Sequence, residues 1–174
     1  MSRRVVINKA GGVSAITVQS MDMPEPKEGE VRIRVVFAGI NFADLLMRMG
    51  FYNPRPPYPF TPGYEVSGYI DALGPGITSF TLGQRVVAAM RNGGQASHVT
   101  CVASRVLAVP DKISLKSAAA IPVIYLTAHH MLHHLGHMDK DHSVLIHGGA
   151  GGVGIAALQL CKWSGVDKVW ATSS

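Results

Sequence analysis

Hydrophobic and polar residues alternate in short runs along the first 110 positions, and Gly or Pro bounds most of the runs: RRVVI, AITVQS, EVRIRVVFAGI, EVSGYIDAL, QRVVAAM, ASHVTCV and RVLAVP. A period of two with enrichment in Val, Ile and Thr predicts β-strands. Many short strands with frequent turn signals predict an all-β domain of barrel-like or sandwich type. The pattern breaks once. In NFADLLMRMG the apolar residues Phe42, Leu45, Leu46 and Met49 recur at helical spacing before Gly50 stops the run, which predicts a short helix with those residues as its apolar face.

Beyond Pro110 the period lengthens. SLKSAAAIPVIYLTAHHMLHHLG reads as two helical segments broken at Pro122, SVLIHGG as a buried strand, GGVGIAALQLCKWSG as a helix closed by Gly165, and DKVWATSS as a second strand. A β-α-β unit builds a parallel sheet. The predicted fold class is therefore α/β, with a β-rich domain over 1–123 and the opening of a doubly wound parallel sheet over 124–174. Two parallel strands and one crossover helix cannot bury both faces of a sheet, so the chain is expected to be incomplete.

Context turns one glycine run into a candidate binding site. GAGGVG, residues 149–154, matches G-x-G-x-x-G directly after a predicted strand and at the start of a predicted helix. On that pattern Gly149 permits the tight turn, Gly151 admits a pyrophosphate to the backbone and Gly154 allows the helix to pack closely on the strand. The N–H groups of Gly152 and Val153 then point at the phosphates, helped by the positive end of the helix dipole. An acidic residue at the end of the second strand would take the ribose 2′-hydroxyl of NAD. Here that end offers Thr172, Ser173 and Ser174. Hydroxyls donate to a 2′-phosphate that a carboxylate would repel, so NADPH is favoured over NADH unless an acid follows directly.

Composition narrows the alternatives. At 47% hydrophobic and 16% charged residues, the chain is of globular rather than disordered type. No apolar run reaches spanning length, and MSRRVVINKAGG lacks the apolar core of a signal peptide, so a cytoplasmic location is expected. Cys101 and Cys161 are far apart and outside any CxxC, which argues against a disulfide framework or a thiolate zinc site. The net charge of +5 favours an anionic ligand, yet the longest basic run is Arg3-Arg4, so nucleic acid is not expected as a primary partner. The run HHMLHHLGH places His129 and His133, and His130 and His134, at i and i+4, a spacing that zinc can use.

INFADLLMRMGFY, PFTPGYEVSGYIDALGPGI, GQRVVAAM and LTAHHMLHHLGHMDKDHSVLIHGGAGGVGIAALQLCKWSG together resemble the medium-chain dehydrogenase/reductase superfamily. The match is best to its quinone oxidoreductase (zeta-crystallin) branch and the related vesicle amine transport protein-like branch. The resemblance implies a GroES-like domain followed by a Rossmann domain, with the active site in the cleft between them, and a homodimer when full length. Zinc members carry Cys where this chain has Asn41, and G-H-E where it has Gly63-Tyr64-Glu65, so the resemblance implies no metal. It implies instead direct hydride transfer from NADPH to a small-molecule quinone or enone. The alternative it allows is a reductase fold with a mainly membrane- or vesicle-associated role and weak or no catalysis.

Carried over by motif, Asn41 sits beside the nicotinamide, Asp44 lines the same wall or fixes its hydrogen bonds, and Tyr52 donates to the substrate; these three are the candidate catalytic residues. Thr127 falls near the nicotinamide amide, His130 takes the place of an aromatic residue bordering the cofactor, and Glu65 is a structural carboxylate. Taken alone, Asn41 and Asp44 also read as a helix cap and its first-turn acid, Tyr52 as a packing residue among prolines, and Cys161 as core.

Overall fold

The computed structural model describes residues 1–54 and 56–173. The chain divides into two compact units, Met1–Ala120 and Ile121–Ser174.

In the first unit each predicted β segment is a strand: β1 (Ser2–Ile7), β2 (Ile16–Met21), β3 (Glu30–Ala38), β4 (Glu65–Leu73), β5 (Arg85–Ala89), β6 (His98–Val102) and β7 (Val106–Ala108). Strands β1 and β2 form an antiparallel pair, and the other five form an antiparallel sheet in the order β6-β3-β4-β5-β7. Alternation along β3 buries Val31 and Ile33, which meet Val66, Ile70, Val86, Ala88, Val99, Cys101 and Val106 in one core. Burying each large apolar side chain of this kind stabilises the fold by about 1.5–3 kcal/mol. Register shifts between β3 and β4, at Arg32/Ile33 and Val35/Phe37, bend the sheet around that core. Bridges Arg4↔Ala96 and Ile7↔Phe60 tie β1 to the loops of the larger sheet.

The predicted short helix is α1 (Phe42–Met49), closed by Gly50 in a left-handed conformation at φ 86°. Its buried face differs from the expected one. Phe42 is 72% exposed and Leu45 38%, whereas Asp44 and Met47 are buried. The side of α1 that faces the protein meets the Gly63 N–H, a buried donor that needs an acceptor, and Asp44 supplies it. A short helix α2 (Leu115–Ala118), capped by Ser114, packs on the sheet; the Ser67 hydroxyl donates to the Leu115 carbonyl at 2.6 Å.

The second unit begins with α3 (Pro122–His129), with Pro122 at a position where its missing N–H costs nothing. The expected continuation to Leu135 is helical but more widely wound. His130–Leu135 form a π-helical turn, and Gly136 N–H reaches back to the Met131 carbonyl. Then come β8 (Ser143–Ile146), α4 (Gly152–Trp163) and β9 (Lys168–Ala171), with β8 and β9 parallel. Ala128, Ile146, Ala156, Ala157, Cys161 and Val166 form the core of this unit, and burial pushes the Cys161 thiol pKa up.

Candidate functional site

The N-terminus of α1 is held by a hydrogen-bonded set that joins residues about 20 positions apart. Asn41, in extended conformation, caps the helix, and its N–H donates to Asp44 Oδ2 at 2.9 Å. The other carboxylate oxygen of Asp44 accepts from Gly63 N–H at 2.9 Å. The Asn41 side chain then turns to Glu65, donating from Nδ2 to Oε1 at 2.9 Å. An ionised carboxylate only accepts, so Glu65 determines which end of the Asn41 amide is the donor. Glu65 lies against the backbone of Gly39, where any Cβ would overlap its carboxylate. Both acids are buried, at 5% exposure for Asp44 and 2% for Glu65. Burial raises the Asp44 pKa, and the N–H groups of Asn41 and Gly63 oppose that rise.

Tyr52 joins the same unit through an aromatic cluster in which Ile7, Met47 and Phe60 pack with Tyr52, Tyr58 and Tyr64. The Tyr58 hydroxyl donates to the Met47 carbonyl at 2.8 Å, and the Tyr64 hydroxyl sits 3.7 Å from Met47 Sδ. The Tyr64 phenol is pushed up to about 12 by burial first, then by its interaction with Tyr52 and by the charge of Asp44. The structure thus brings together Asn41, Asp44, Glu65, Tyr64 and Tyr52. Cap and packing roles coexist there with polar groups available for chemistry. Tyr64 had not been expected as a site residue; the signal was its position in GYE, where zinc members carry histidine.

In the second unit the glycine run turns between β8 and α4. The residue with positive φ is Gly148, at 70°, rather than Gly149. Gly149 is needed because a Cβ there would lie 2.6 Å from that of Ala171, and its N–H donates to the Thr172 carbonyl at 2.8 Å. A Cβ on Gly154 would lie 2.3 Å from the Gly148 carbonyl oxygen. Gly151 caps α4, and the first helical bond runs from Ile155 N–H to its carbonyl. The N–H groups of Gly152, Val153 and Gly154 therefore lack intrahelical acceptors and can receive an anion. No carboxylate stands at the described end of β9. The Thr172 hydroxyl faces His147 and Gly148 N–H, Ser173 is exposed, and Ser174 lies outside the described residues.

Thr127 and His130 are exposed and line an open groove of about 510 Å³ with Leu126, His129 and Met131. The His130 ring stacks on His134 at 4.8 Å, and His129 lies 4.7 Å from His133. Among the described residues no group of three or more His, Cys, Asp or Glu is placed to hold a metal ion. None of their helices is long and apolar enough to cross a membrane.

A curled β domain followed by a strand, a glycine turn, a helix and a parallel strand defines the class as a GroES-like fold leading into a dinucleotide-binding fold. Comparison with known proteins agrees. Residues 27–111 match the alcohol dehydrogenase GroES-like domain family. The chain is 41% identical over 173 residues to the synaptic vesicle membrane protein VAT-1 homolog of Danio rerio, covering 99% of this chain and 36% of that relative. It superposes on the human synaptic vesicle membrane protein VAT-1 homolog-like protein with a TM-score of 0.95 at 37% identity, covering 100% of this chain and 57% of that one. It superposes on the quinone oxidoreductase from Thermus thermophilus, solved alone and with NADPH, with a TM-score of 0.85 at 34% identity, covering 99% and 53%. The resemblance to the medium-chain dehydrogenase/reductase superfamily, and within it to quinone oxidoreductases and VAT-1 homologs, therefore holds along essentially the whole chain, which spans about a third to a little over half of the length of these relatives.

Proposed function

We propose that the chain is part of a zinc-independent, NADPH-dependent oxidoreductase that reduces a small quinone or an activated alkene such as an enone. The observation that carries this reading is the Asn41–Glu65 bond: where zinc members bind metal through a cysteine, this chain has an amide side chain fixed by a buried carboxylate. Residues 148–154 fit the cofactor, because Gly149 and Gly154 leave no room for a Cβ and three N–H groups at the start of α4 lack helical acceptors. Gly149, Gly151, Gly152, Val153 and Gly154 would hold its pyrophosphate, Ser173 and Ser174 its 2′-phosphate, and Asn41, Thr127 and His130 its nicotinamide. When bound, NADPH supplies the hydride. Asn41 orients its acceptor, Asp44 holds the Asn41 backbone in place, and Tyr52 donates a hydrogen bond, and then a proton, to the acceptor oxygen as negative charge develops there. The exposed Ile40 and Phe51, neighbours in sequence of Asn41 and Tyr52, suit a flat apolar acceptor. A cytoplasmic homodimer is the form this reading assigns to the full-length protein.

A second reading is favoured by the 41% identity to a synaptic vesicle membrane protein. In it the same fold binds NADPH while serving a membrane- or vesicle-associated role with weak or no catalysis. NADPH oxidation by the full-length protein with 9,10-phenanthrenequinone or a small enone separates the two. The reductase reading expects turnover that Asn41→Ala and Tyr52→Phe each reduce at least tenfold. Binding of NADPH without oxidation across a broad acceptor panel would leave only the second reading.

A further inference from the structure

We propose that Asn92-Gly93 is a self-modification site: Asn92 loses its amide as ammonia through a succinimide, and the isoaspartyl product releases the loop that backs Gly63. Asn92 opens the stretch NGGQ between β5 and β6. The chain has four asparagines, and three of them are poorly placed for this chemistry. The Asn41 side chain donates to Glu65, and the Asn8 side chain donates to the Ala15 carbonyl and to Thr17 Oγ1. Asn53 precedes Pro54, whose nitrogen carries no hydrogen and cannot act as the nucleophile. Asn92 differs from all three. It is exposed, and among the described residues its amide has no hydrogen-bond partner. Gly93 follows it, and nothing lies within 4 Å of where a Cβ would stand, so no side chain hinders closure of the five-membered ring.

The Gly93 nitrogen attacks the side-chain carbonyl carbon of Asn92. A C–N bond forms there, the Gly93 proton passes to the departing amide nitrogen, and ammonia leaves. Water then opens the succinimide at either carbonyl. Cleavage on the side-chain side gives aspartate on the native backbone, while cleavage on the main-chain side gives isoaspartate, whose chain runs one carbon longer through the former side chain. The loop has no slack for that carbon. Four N–H groups tie it to the segment ahead of β4: Met90 to the Tyr64 carbonyl at 2.8 Å, Gly93 to Thr61 at 2.8 Å, Gly94 to Gly63 at 3.0 Å and Gln95 to Pro62 at 2.9 Å. The two backbones touch, since a Cβ on Gly63 would lie 2.6 Å from the Gln95 nitrogen. Gly63 is also the residue whose N–H donates to Asp44, so the loop supports the start of α1 from behind. The Thr61 carbonyl holds the nucleophile itself, and ring closure therefore proceeds when this exposed loop opens locally. Aspartate has a milder effect: it keeps the backbone and adds a carboxylate to a cavity of about 340 Å³ that Asn92 and Arg4 both line.

Two measurements on the full-length protein test this, and neither depends on what reaction it catalyses. The first is peptide mapping by mass spectrometry during warm incubation at mildly alkaline pH, with isoaspartate counted by enzymatic methylation. Asn92 should convert before Asn8 or Asn41, more slowly than in a free peptide of residues 88–97 but by no more than about a hundredfold, as suits local opening of an exposed loop. Asn92→Gln, which would have to close a six-membered ring, should abolish the signal. Earlier conversion at Asn8 or Asn41, or an Asn92 amide that outlasts that limit, overturns the site. The second is amide hydrogen exchange. In the isoaspartyl protein the N–H groups of Gly63, Gly93, Gly94 and Gln95 should lose protection, whereas freshly purified Asn92→Asp should keep it. Unchanged protection after conversion overturns the release of the loop, and equal loss in Asn92→Asp assigns the effect to charge and overturns the role of the lengthened backbone.

Discussion

Gly154→Ala probes the tightest point of the glycine turn. The added Cβ would lie 2.3 Å from the Gly148 carbonyl oxygen, 2.7 Å from Gly149 Cα and 2.9 Å from Gly149 C, all of them backbone atoms. Ordinary contact begins near 3.4 Å, so the turn must move by about 1 Å, and no side-chain rotation can relieve it. Overpacking of this kind costs about 1–3 kcal/mol, here towards the upper end, while the better helix propensity of Ala returns about 1 kcal/mol. A net loss of about 2 kcal/mol is expected. Moving the turn also shifts the N–H groups that would bind phosphate. Losing one hydrogen bond to a charged group, about 1.5–3 kcal/mol, weakens NADPH binding by about tenfold to a hundredfold. Gly152→Ala is the control, because its Cβ would meet only the Ile124 side chain, at 3.3 Å, and should change stability by less than about 0.5 kcal/mol. Urea unfolding followed by the fluorescence of Trp163 and Trp170, both in this unit, reads stability, and NADPH fluorescence titration of the full-length protein reads affinity. If Gly154→Ala matches the unaltered protein in both, the close approach is not what this site requires.

Asp44→Ala should destabilise the first unit by about 2–4 kcal/mol, because it leaves the N–H groups of Asn41 and Gly63 without an acceptor, and Asp44→Asn should cost less. The folded pKa of Asp44 is raised, so the stability gained on protonation is fully present below its unfolded value near 4 and is lost as pH rises through the folded value. Urea unfolding at a series of pH values should therefore show the unaltered protein gaining on Asp44→Asn as pH falls through that window; a flat difference would show that burial does not dominate. Elemental analysis of protein purified without a histidine tag should find zinc well below one per chain, and stoichiometric zinc lost in His129→Ala/His133→Ala would return the histidine run to the candidate metal sites.

The strands were legible because alternation is a local signal: Val31 and Ile33 turn inward with no information beyond EVRIRV. The type of α1 was legible for the same reason, but its orientation was not. Apolar spacing pointed to Phe42 and Leu45, while the structure buries Asp44 against Gly63, a residue 19 positions away that no helical periodicity reports. The glycine turn was readable at 149–154, yet the left-handed residue proved to be Gly148, because the turn begins one position before the fingerprint. Tyr64 escaped notice for a related reason. As a letter it marks a lost zinc ligand, and its place beside Met47 exists only once α1 packs against the residues that lead into β4.

The inverted face of α1 links fold to site. An eight-residue helix is too short to be stable alone, so tertiary contacts must hold it, and two of its residues make the buried ones: Met47 in the aromatic cluster, and Asp44 on Gly63 N–H. The second contact fixes the start of the helix to residues 63–65, so Asn41, Asp44, Tyr64 and Glu65 form one rigid set despite their separation in sequence. The same choice sends Phe42 outward, and with Ile40 and Phe51 it leaves three large apolar side chains 72–78% exposed next in sequence to Asn41 and Tyr52. Covering any one of them would be worth about 1.5–3 kcal/mol, which a polar ligand such as a sugar cannot recover. On the reductase reading, this favours an acceptor with a flat apolar body and one or two carbonyl oxygens, held apolar face to apolar wall and oriented by a few hydrogen bonds.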